Sequence, residues 1–594
     1  MSSALPAELL EHIVQYVDGR GDLIHIAQAS QLFLVLTRPH MDHHTIRTQR
    51  NHVELWMNLA QHDGVLASRI RSLTIVNSGG RPNFTKKVAY SPSLRLPPGI
   101  RPPDSADNGS EWPNLGDPPP KDMSRYETML ISALRHMISL KTFNWHCIPS
   151  PVIIEGPNSL WETVARLGTV TSVDFYDFGK ARPVGQQQNT SSIHDYRGPN
   201  FGNIFLRAFQ VDAKRLTNLT LRTYDPLENL YSFHDVQLLA RQCCNLEVLD
   251  INMCDANRLL WMFRHGDPLI YQARWDHLRV FRLDGVRCTA PVLRRFFVAH
   301  PSLEEVCLGR SILGWEDSLA LDLPSDALPA LKVLHCTPAL AVAFLPPKSA
   351  DESESDSSSE FSVVVPPFRP IHALYGIELG VEIRLVEYAV RDVSTVAAAQ
   401  EWQHLTVGEL DKPRPSPWRE VLLAGLRRQS ATLRSVGLTS LCRAGHLFDL
   451  AKAVPGLTRL CLGSISEDLT AGSDETLISL YSLFPSLTSV AGHPFPEPEI
   501  PSQWPMIGTV DGLVPALTAA LKRLKDGGCH ELRSIGFQQS SELTLRGELV
   551  EGKAIIMPCE PHENGLKWVA RHPWGTDEPT VFFGETIYGG TSIS

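Results

Sequence analysis

Short apolar segments of the form L-x-x-L-x-L, or a close variant of it, recur along most of this 594-residue chain. They are RIRSLTIV (69–76), SLKTFNW (139–145), RLTNLTL (215–221), NLEVLDI (245–251), HLRVFRL (277–283), SLEEVCL (302–308), ALKVLHC (330–336), TLRSVGL (432–438), GLTRLCL (456–462), SLTSVAG (486–492) and ELRSIGF (531–537). In the central group the leading leucines Leu216, Leu246, Leu278, Leu303 and Leu331 stand 30, 32, 25 and 28 residues apart. Side chains of a strand alternate between two faces, so Leu249 and Ile251, with Leu246 ahead of them, are predicted to enter a core. Val248, Asp250 and Asn252 then face the other way. Several segments follow a helix-like stretch, as in APVLRRFFVAHPSLEEVCL, where Leu293, Phe296 and Phe297 share a helical face before Pro301. A single unit of this kind cannot bury its apolar side, whereas stacked neighbours can. The expected fold class is α/β: a repeat solenoid, or horseshoe, with a parallel sheet. Ordinary buried strands of another α/β fold are the alternative, and the recurrence at similar intervals argues against them.

Two stretches interrupt the rhythm. Gly79 to Lys121 is rich in Pro, Gly and Asp and reads as a long excursion. Ser349 to Glu360, SADESESDSSSE, is an acidic serine tract with little to bury, expected to be a flexible insertion between repeats. Ser353 and Ser357 each have an acidic residue three positions on, a pattern that acidophilic kinases favour.

Composition excludes several functional classes. With 43% hydrophobic and 20% charged residues the chain reads as soluble and globular. A net charge of −10 argues against general nucleic-acid binding, which needs phosphate-neutralising basic surface. No apolar run approaches the roughly 20 residues of a membrane span, and no secretory signal is visible, so cytoplasm or nucleus is the expected location. The 11 cysteines are scattered without a CxxC pair and read as reduced, packed thiols. No phosphate-cradling glycine motif, serine elbow or HExxH is present. His40 and His44 in HMDHH have the spacing of two helical metal ligands, but Pro39 is expected to break the helix there and no third ligand has a predictable place. His335 and Cys336 are adjacent on a predicted strand and so point to opposite faces. No catalytic residue, metal or cofactor is assigned, and the chain is not expected to be an enzyme.

The amino-terminal stretch LPAELLEHIVQYV has a different problem. On a helix Leu5, Leu9, Ile13 and Tyr16 fall together, with Pro6, Leu10, Val14 and Val17 beside them. This arc covers about half the circumference, wider than the stripe of about 100° that a surface helix normally buries. A helix of three turns cannot hide that much against one neighbour, so it needs its own domain and a second partner. Asp22 is a candidate cap for a following helical stretch, DLIHIAQASQLFLVLTRPHM, in which Pro39 is expected to stop the run.

This arrangement resembles an F-box, whose hallmark L-P-x-E-[IL]-[IL]-x-x-I is met by Leu5, Pro6, Glu8, Leu9, Leu10 and Ile13. A D-L pair (Asp22, Leu23), a serine (Ser30) and an aromatic (Phe33) follow. Ala29 stands where the family usually has Val, and Phe33 where it usually has Trp. The sequel PHMDHHTIR and then ASRIRSLTI is similar to fungal members, and the repeats that follow resemble irregular leucine-rich repeats. Only LEVLDINMC, with Cys254, meets the full repeat pattern. The resemblance implies a substrate-receptor subunit of a Skp-cullin-F-box ubiquitin ligase. It would bind a Skp-type adaptor, and through it a cullin, by Leu5, Pro6, Leu9, Leu10, Ile13, Leu23, Ser30 and Phe33. An unidentified target protein would lie on the concave sheet face, where Arg222, Asp250, Arg282 and Glu305 either read the target or form a solvated charge ladder. The implied layout is an F-box-like module (1–45), a linker helix and first repeat strand (46–78), a Pro/Gly-rich loop (79–126), a repeat solenoid (127–550) with the acidic insertion at 346–367, and a C-terminal cap or tail (551–594). The other reading is a leucine-rich-repeat scaffold without ligase assembly, its N-terminal helices merely capping the repeat core.

Overall fold

The computed structural model describes residues 6–76, 96–101, 123–147, 151, 159–177, 209, 213–223, 242–252, 266–309, 321–345, 369–381, 414–415, 419–465, 474–493, 523–539, 543–550, 553–558, 561–562, 565–570 and 580–583, apart from 62–63, 272, 285, 287, 325, 378, 443 and 533. The chain forms two compact units, Met1–Cys288 and Thr289–Ser594. Both the acidic tract with Ser353 and Ser357 and nearly all of the 79–121 stretch lie outside the described residues.

The first unit begins with helices α1 (Ala7–Gln15), α2 (Arg20–Ala29), α3 (Gln31–His44) and α4 (Val53–Gln61). Its sheet comprises β1 (Thr45–Gln49), β2 (Ser72–Val76), β3 (Thr142–His146), β4 (Ser172–Asp177), β5 (Asn218–Thr223), β6 (Val248–Asn252) and β7 (Val280–Asp284), all parallel and in chain order. Helices Met123–Leu134 and Leu160–Arg166 lie between successive strands. In-register rows explain the stacking. Ile46, Leu73, Phe143, Val173, Leu219, Leu249 and Phe281 form one row, two residues before a second row of Thr48, Ile75, Trp145, Phe175, Leu221, Ile251 and Leu283. Both rows are buried, as the alternation of apolar residues predicts.

The second unit repeats the device. β8 (Glu305–Leu308), β9 (Val333–His335), β10 (Ala373–Ile377), β13 (Ser435–Cys442), β14 (Arg459–Ile465), β15 (Ser489–His493) and β16 (Ser534–Gln539) are parallel, while β17 (Leu543–Val550) and β18 (Lys553–Pro558) continue antiparallel. A short antiparallel pair, β11 (Gly380–Val381) with β12 (Arg414–Pro415), stands apart from this sheet, as do β19 (Pro561–His562), β20 (Gly565–Ala570) and β21 (Thr580–Phe583). The stretch read from sequence as a cap or tail therefore contains strands.

Several repeats use the leading aliphatic residue in the same way. Leu140, Leu216, Leu278, Leu303 and Leu331 are buried in a tight turn, each N–H donating to the carbonyl three residues back. The next residue donates to the equivalent position of the preceding strand: Lys141 to Arg71 at 2.8 Å, Thr217 to Thr171 at 2.9 Å, Glu247 to Thr217 at 2.7 Å and Arg279 to Glu247 at 2.8 Å. The leucine thus plugs the turn while its neighbour extends the ladder. Strands β1, β4 and β10 escape the sequence pattern. Val170 and Ile371 fill the turn position of β4 and β10, and β10 is bulged at Gly376, whose φ of +82° favours glycine.

A buried guanidinium fixes one turn of the second unit. Arg369 is 1% exposed and donates from Nε to the Ala327 carbonyl (2.9 Å), from Nη1 to Phe344 (2.8 Å) and from Nη2 to Pro324 (2.7 Å). Burial lowers its pKa to about 10, which leaves it charged at neutral pH. A buried acceptor left without its donor costs about 1–3 kcal/mol. Arg369→Ala is therefore expected to destabilise the protein by about 3 kcal/mol or more, read as a lowered urea midpoint by circular dichroism. Arg369→Lys recovers little of this, because one ammonium cannot span three separated carbonyls.

Candidate docking surface

The first helix starts on Pro6, whose carbonyl accepts from the N–H groups of Leu9 (3.1 Å) and Leu10 (3.2 Å). Its apolar arc splits in two. Val14 is buried, with Leu10 and Val17 half-buried, on the side that packs against α3. The other row, Leu9, Ile13 and Tyr16, is 51%, 54% and 73% exposed. These three positions advance by one helical turn at a time and form a continuous ridge. Seven of the fourteen large apolar side chains exposed among the described residues lie between Leu9 and Val35, so the first three helices concentrate them.

The candidate residues have different positions. Leu5 lies outside the described residues, Pro6 is exposed, and Leu10 and Phe33 are half-buried. Leu23 is 1% exposed and belongs to the interior of the module, where it supports the surface without forming it. Ser30 separates α2 from α3; its Oγ accepts from the Phe33 N–H at 3.3 Å, which makes it the N-cap of α3. Ile24, Leu32, Leu34 and Val35 are exposed but were not among the candidates. For Leu32, Leu34 and Val35 the signal is the run Leu-Phe-Leu-Val on a helix: four consecutive apolar residues point around most of the circumference and cannot share one buried stripe.

Two sequence expectations fail here. Asp22 is not the cap of α2; the helix begins at Arg20 and Asp22 sits in its first turn, where its charge still suits the dipole. Pro39 does not end α3, which runs on to His44. Proline removes the N–H that would pair with the Val35 carbonyl, and Val35 is on the solvent side, where water can accept that role.

The far end of α1 is held by cations. Arg71 donates from Nε to Asp18 Oδ1 at 3.1 Å, from Nη1 to the Ser68 carbonyl at 3.2 Å and from Nη2 to the Gln15 carbonyl. Arg69 reaches Glu11 at 3.4 Å, and Lys141 approaches the second Asp18 oxygen at 3.8 Å. His44 Nε2 lies 2.7 Å from the Asp18 carbonyl. A carbonyl only accepts, so this nitrogen carries a proton, and Nδ1 lies 3.1 Å from Thr45 Oγ1.

His40 is buried among Arg69, Arg71, His43 and His44, and its Nε2 has no hydrogen-bond partner. Burial, followed by those neighbouring charges, lowers its pKa from 6.5 to about 4. Among the described residues no group of three or more His, Cys, Asp or Glu is placed to hold a metal ion. Burial pushes the Cys243 and Cys461 thiols up to about 12 and raises those of Cys288 and Cys336 further, which removes the thiolate that nucleophilic chemistry needs. No described helix is long and apolar enough to cross a membrane.

On the solvent-facing side of the sheet, Asp250 and Arg282 are register partners with Oδ2 and Nη1 3.6 Å apart. Arg222 occupies the register position opposite Asn252, and Glu305 begins β8 in the second unit. His335 is half-buried while Cys336 is buried, consistent with opposite faces. No protein-family model matches this chain, and no curated protein is similar enough to match it.

His40 makes the module sensitive to acid. Its folded-state pKa lies below the unfolded value, so between pH 6.5 and about 4 the unfolded state binds more protons. The stabilisation is complete above pH 6.5 and is lost as pH falls toward 4, by on the order of 3 kcal/mol in all. Hydrogen exchange of α3 and β1 is expected to quicken over that window, and His40→Gln is expected to remove this component of the pH dependence.

Proposed function

We propose that this chain is a substrate-receptor subunit of a Skp-cullin-F-box type ubiquitin ligase, with irregular leucine-rich repeats behind an F-box-like module. The single observation that carries this reading is the exposed ridge of Leu9, Ile13 and Tyr16 on a helix that begins with the F-box hallmark sequence and already buries its other apolar side. Full burial of a leucine or isoleucine contributes about 1.5–3 kcal/mol, and half of that remains uncollected at Leu9 and Ile13. Apolar side chains clustered this way on an otherwise soluble protein mark a partner surface. A Skp-type adaptor supplies the missing cover, and a cullin follows through the adaptor. The repeat sheet then holds a target protein near a ubiquitin-charged enzyme, so that the acceleration is one of proximity supplied in trans. The chain carries out no chemical step itself.

Because Leu9 and Ile13 are exposed, replacing them leaves the fold intact and tests the surface alone. Leu9→Asp combined with Ile13→Asp is expected to weaken adaptor binding by at least about 2 kcal/mol, the scale of an interface hot spot. Calorimetry with purified adaptor, and co-purification from cells, measure this loss. Undiminished binding refutes the docking role. The scaffold reading makes the opposite forecast: the double variant is neutral, and removal of residues 1–45 renders the remainder insoluble even without adaptor.

A further inference from the structure

We infer that Arg71 is a positioning residue: it fixes the orientation of the α1 ridge relative to the sheet of the first unit, through the C-terminal end of α1 that it grips. The inference rests on the docking reading only in naming that ridge a partner surface. Three observations carry it.

First, α1 has nine residues, and a helix this short is neither stable nor oriented without external contacts. Its buried apolar side offers Val14 fully and Leu10 and Val17 in part, a contact that resists separation but not rotation or tilting. Second, the polar restraints define two points along the helix. Arg69 holds Glu11 on the helix flank, and Arg71 holds both the Gln15 carbonyl and the Asp18 carboxylate at its end. The Gln15 carbonyl is one of the acceptors that a helix terminus leaves unpaired. The rigid fork of a guanidinium fixes direction as well as distance, and two anchor points determine tilt where one does not. Lys141, just before β3, and His44, at the end of α3, converge on Asp18.

Third, Arg71 is itself part of the sheet framework. Its N–H donates to the His44 carbonyl at 2.9 Å, and its carbonyl accepts from Lys141 (2.8 Å) and Thr142 (2.9 Å). This is the repeat position that links each strand to the preceding one, here joining the starts of β1, β2 and β3. At corresponding positions Thr217 and Glu247 carry the ladder with backbone groups of the same kind. Arg71 instead sends its side chain, 8% exposed, into the end of α1, where Lys141 from the next ladder position also approaches Asp18. The backbone that holds the sheet in register therefore also holds the helix, so movement of the sheet start carries the ridge with it.

The test uses the full chain with spin labels on unnatural residues at His12 and Glu54, both exposed, so that native thiols stay untouched. The wild-type distance distribution is expected to be narrow. Arg71→Ala is expected to widen it beyond the roughly 1–2 Å of an ordinary interface helix shift, and Arg71→Lys to lie between, since lysine can hold Asp18 but not the fork. Hydrogen-exchange protection of β2 and β3 is expected to stay at the wild-type level. Should Arg71→Ala unfold, Asp18→Asn with Glu11→Gln removes the carboxylates on the helix side of the grip, leaves only the Gln15 carbonyl, and is expected to widen the distribution as well. An unchanged distribution in the variants overturns the inference, as does widening accompanied by equal loss of sheet protection, which marks mere support of the fold. Adaptor binding is measured separately on the wild type: its absence removes the docking reading, while the distance result still decides the role of Arg71.

Discussion

Successive parallel strands keep the same register, and that constraint governs everything else in the first unit. Because Leu73 pairs with Phe143, Phe143 with Val173, and so on to Phe281, the side chains of this row fall on one face and meet their equivalents from the strands before and after. A slip of one residue would turn the row outward and bring Thr74, Asn144, Asp174, Thr220 and Asp250 into the core. The register is protected by the turn before each strand, where a buried aliphatic residue and a carbonyl of the preceding repeat fix the starting point. Removing one such plug, as at Leu246 or Leu278, leaves both a cavity and an unlocked strand start.

The N-terminal helices obey a different balance. They have more apolar surface than their own packing can use, and the sheet offers them a polar grip through Arg69, Arg71, His44 and Lys141 in place of a second apolar face. Asp18 illustrates why. Its carboxylate is 57% exposed, so the ion pairs it makes add little energy by themselves. Their number and geometry matter more: Arg71 and Lys141, from the turns before β2 and β3, and His44, from the end of α3, meet at the end of one short helix, while Arg69 holds its flank. The result is orientation at small cost in stability, with the outer ridge left open.

How much of this was legible in the sequence follows from which signal each element carries. All eleven segments picked out by leucine spacing contain a strand, and in each it begins two residues after the leading leucine or isoleucine, because alternation and turn plugging leave a direct record in residue type. β4 and β10 went unseen because Val170 and Ile371 fill the plug with a different aliphatic side chain, and because the bulge at Gly376 breaks alternation in β10. β1 has only Ile46 as an apolar marker; its second inward residue is Thr48, paired with His52 at 2.7 Å. The two-faced character of α1 was readable from its arc. Which half is outward was not, since that depends on α3, and neither was the role of Arg71, which joins residues 53 and 56 positions apart.

The two candidate surfaces of the first unit differ in what they have to gain. On the sheet face the polar groups already answer one another: Asn144 donates to Thr74 at 3.0 Å, His146 meets Asp174 at 3.1 Å, and Arg282 sits by Asp250. Asp250 is nearly sealed from water, so its charge is held by Arg282 and by the surrounding face. A partner that disrupted this pair would strand a dehydrated carboxylate, which costs more than a surface contact returns. Such a face supplies little driving force to an arbitrary protein, and it accepts only a surface whose donors and acceptors complete its own. The α1 ridge has the opposite property. Any apolar surface of the right shape gains by covering it, with no polar group to match. On the proposed reading this division is physically apt: affinity for a shared adaptor resides in the unsatisfied apolar helix, and discrimination among targets resides in a sheet face that is already satisfied.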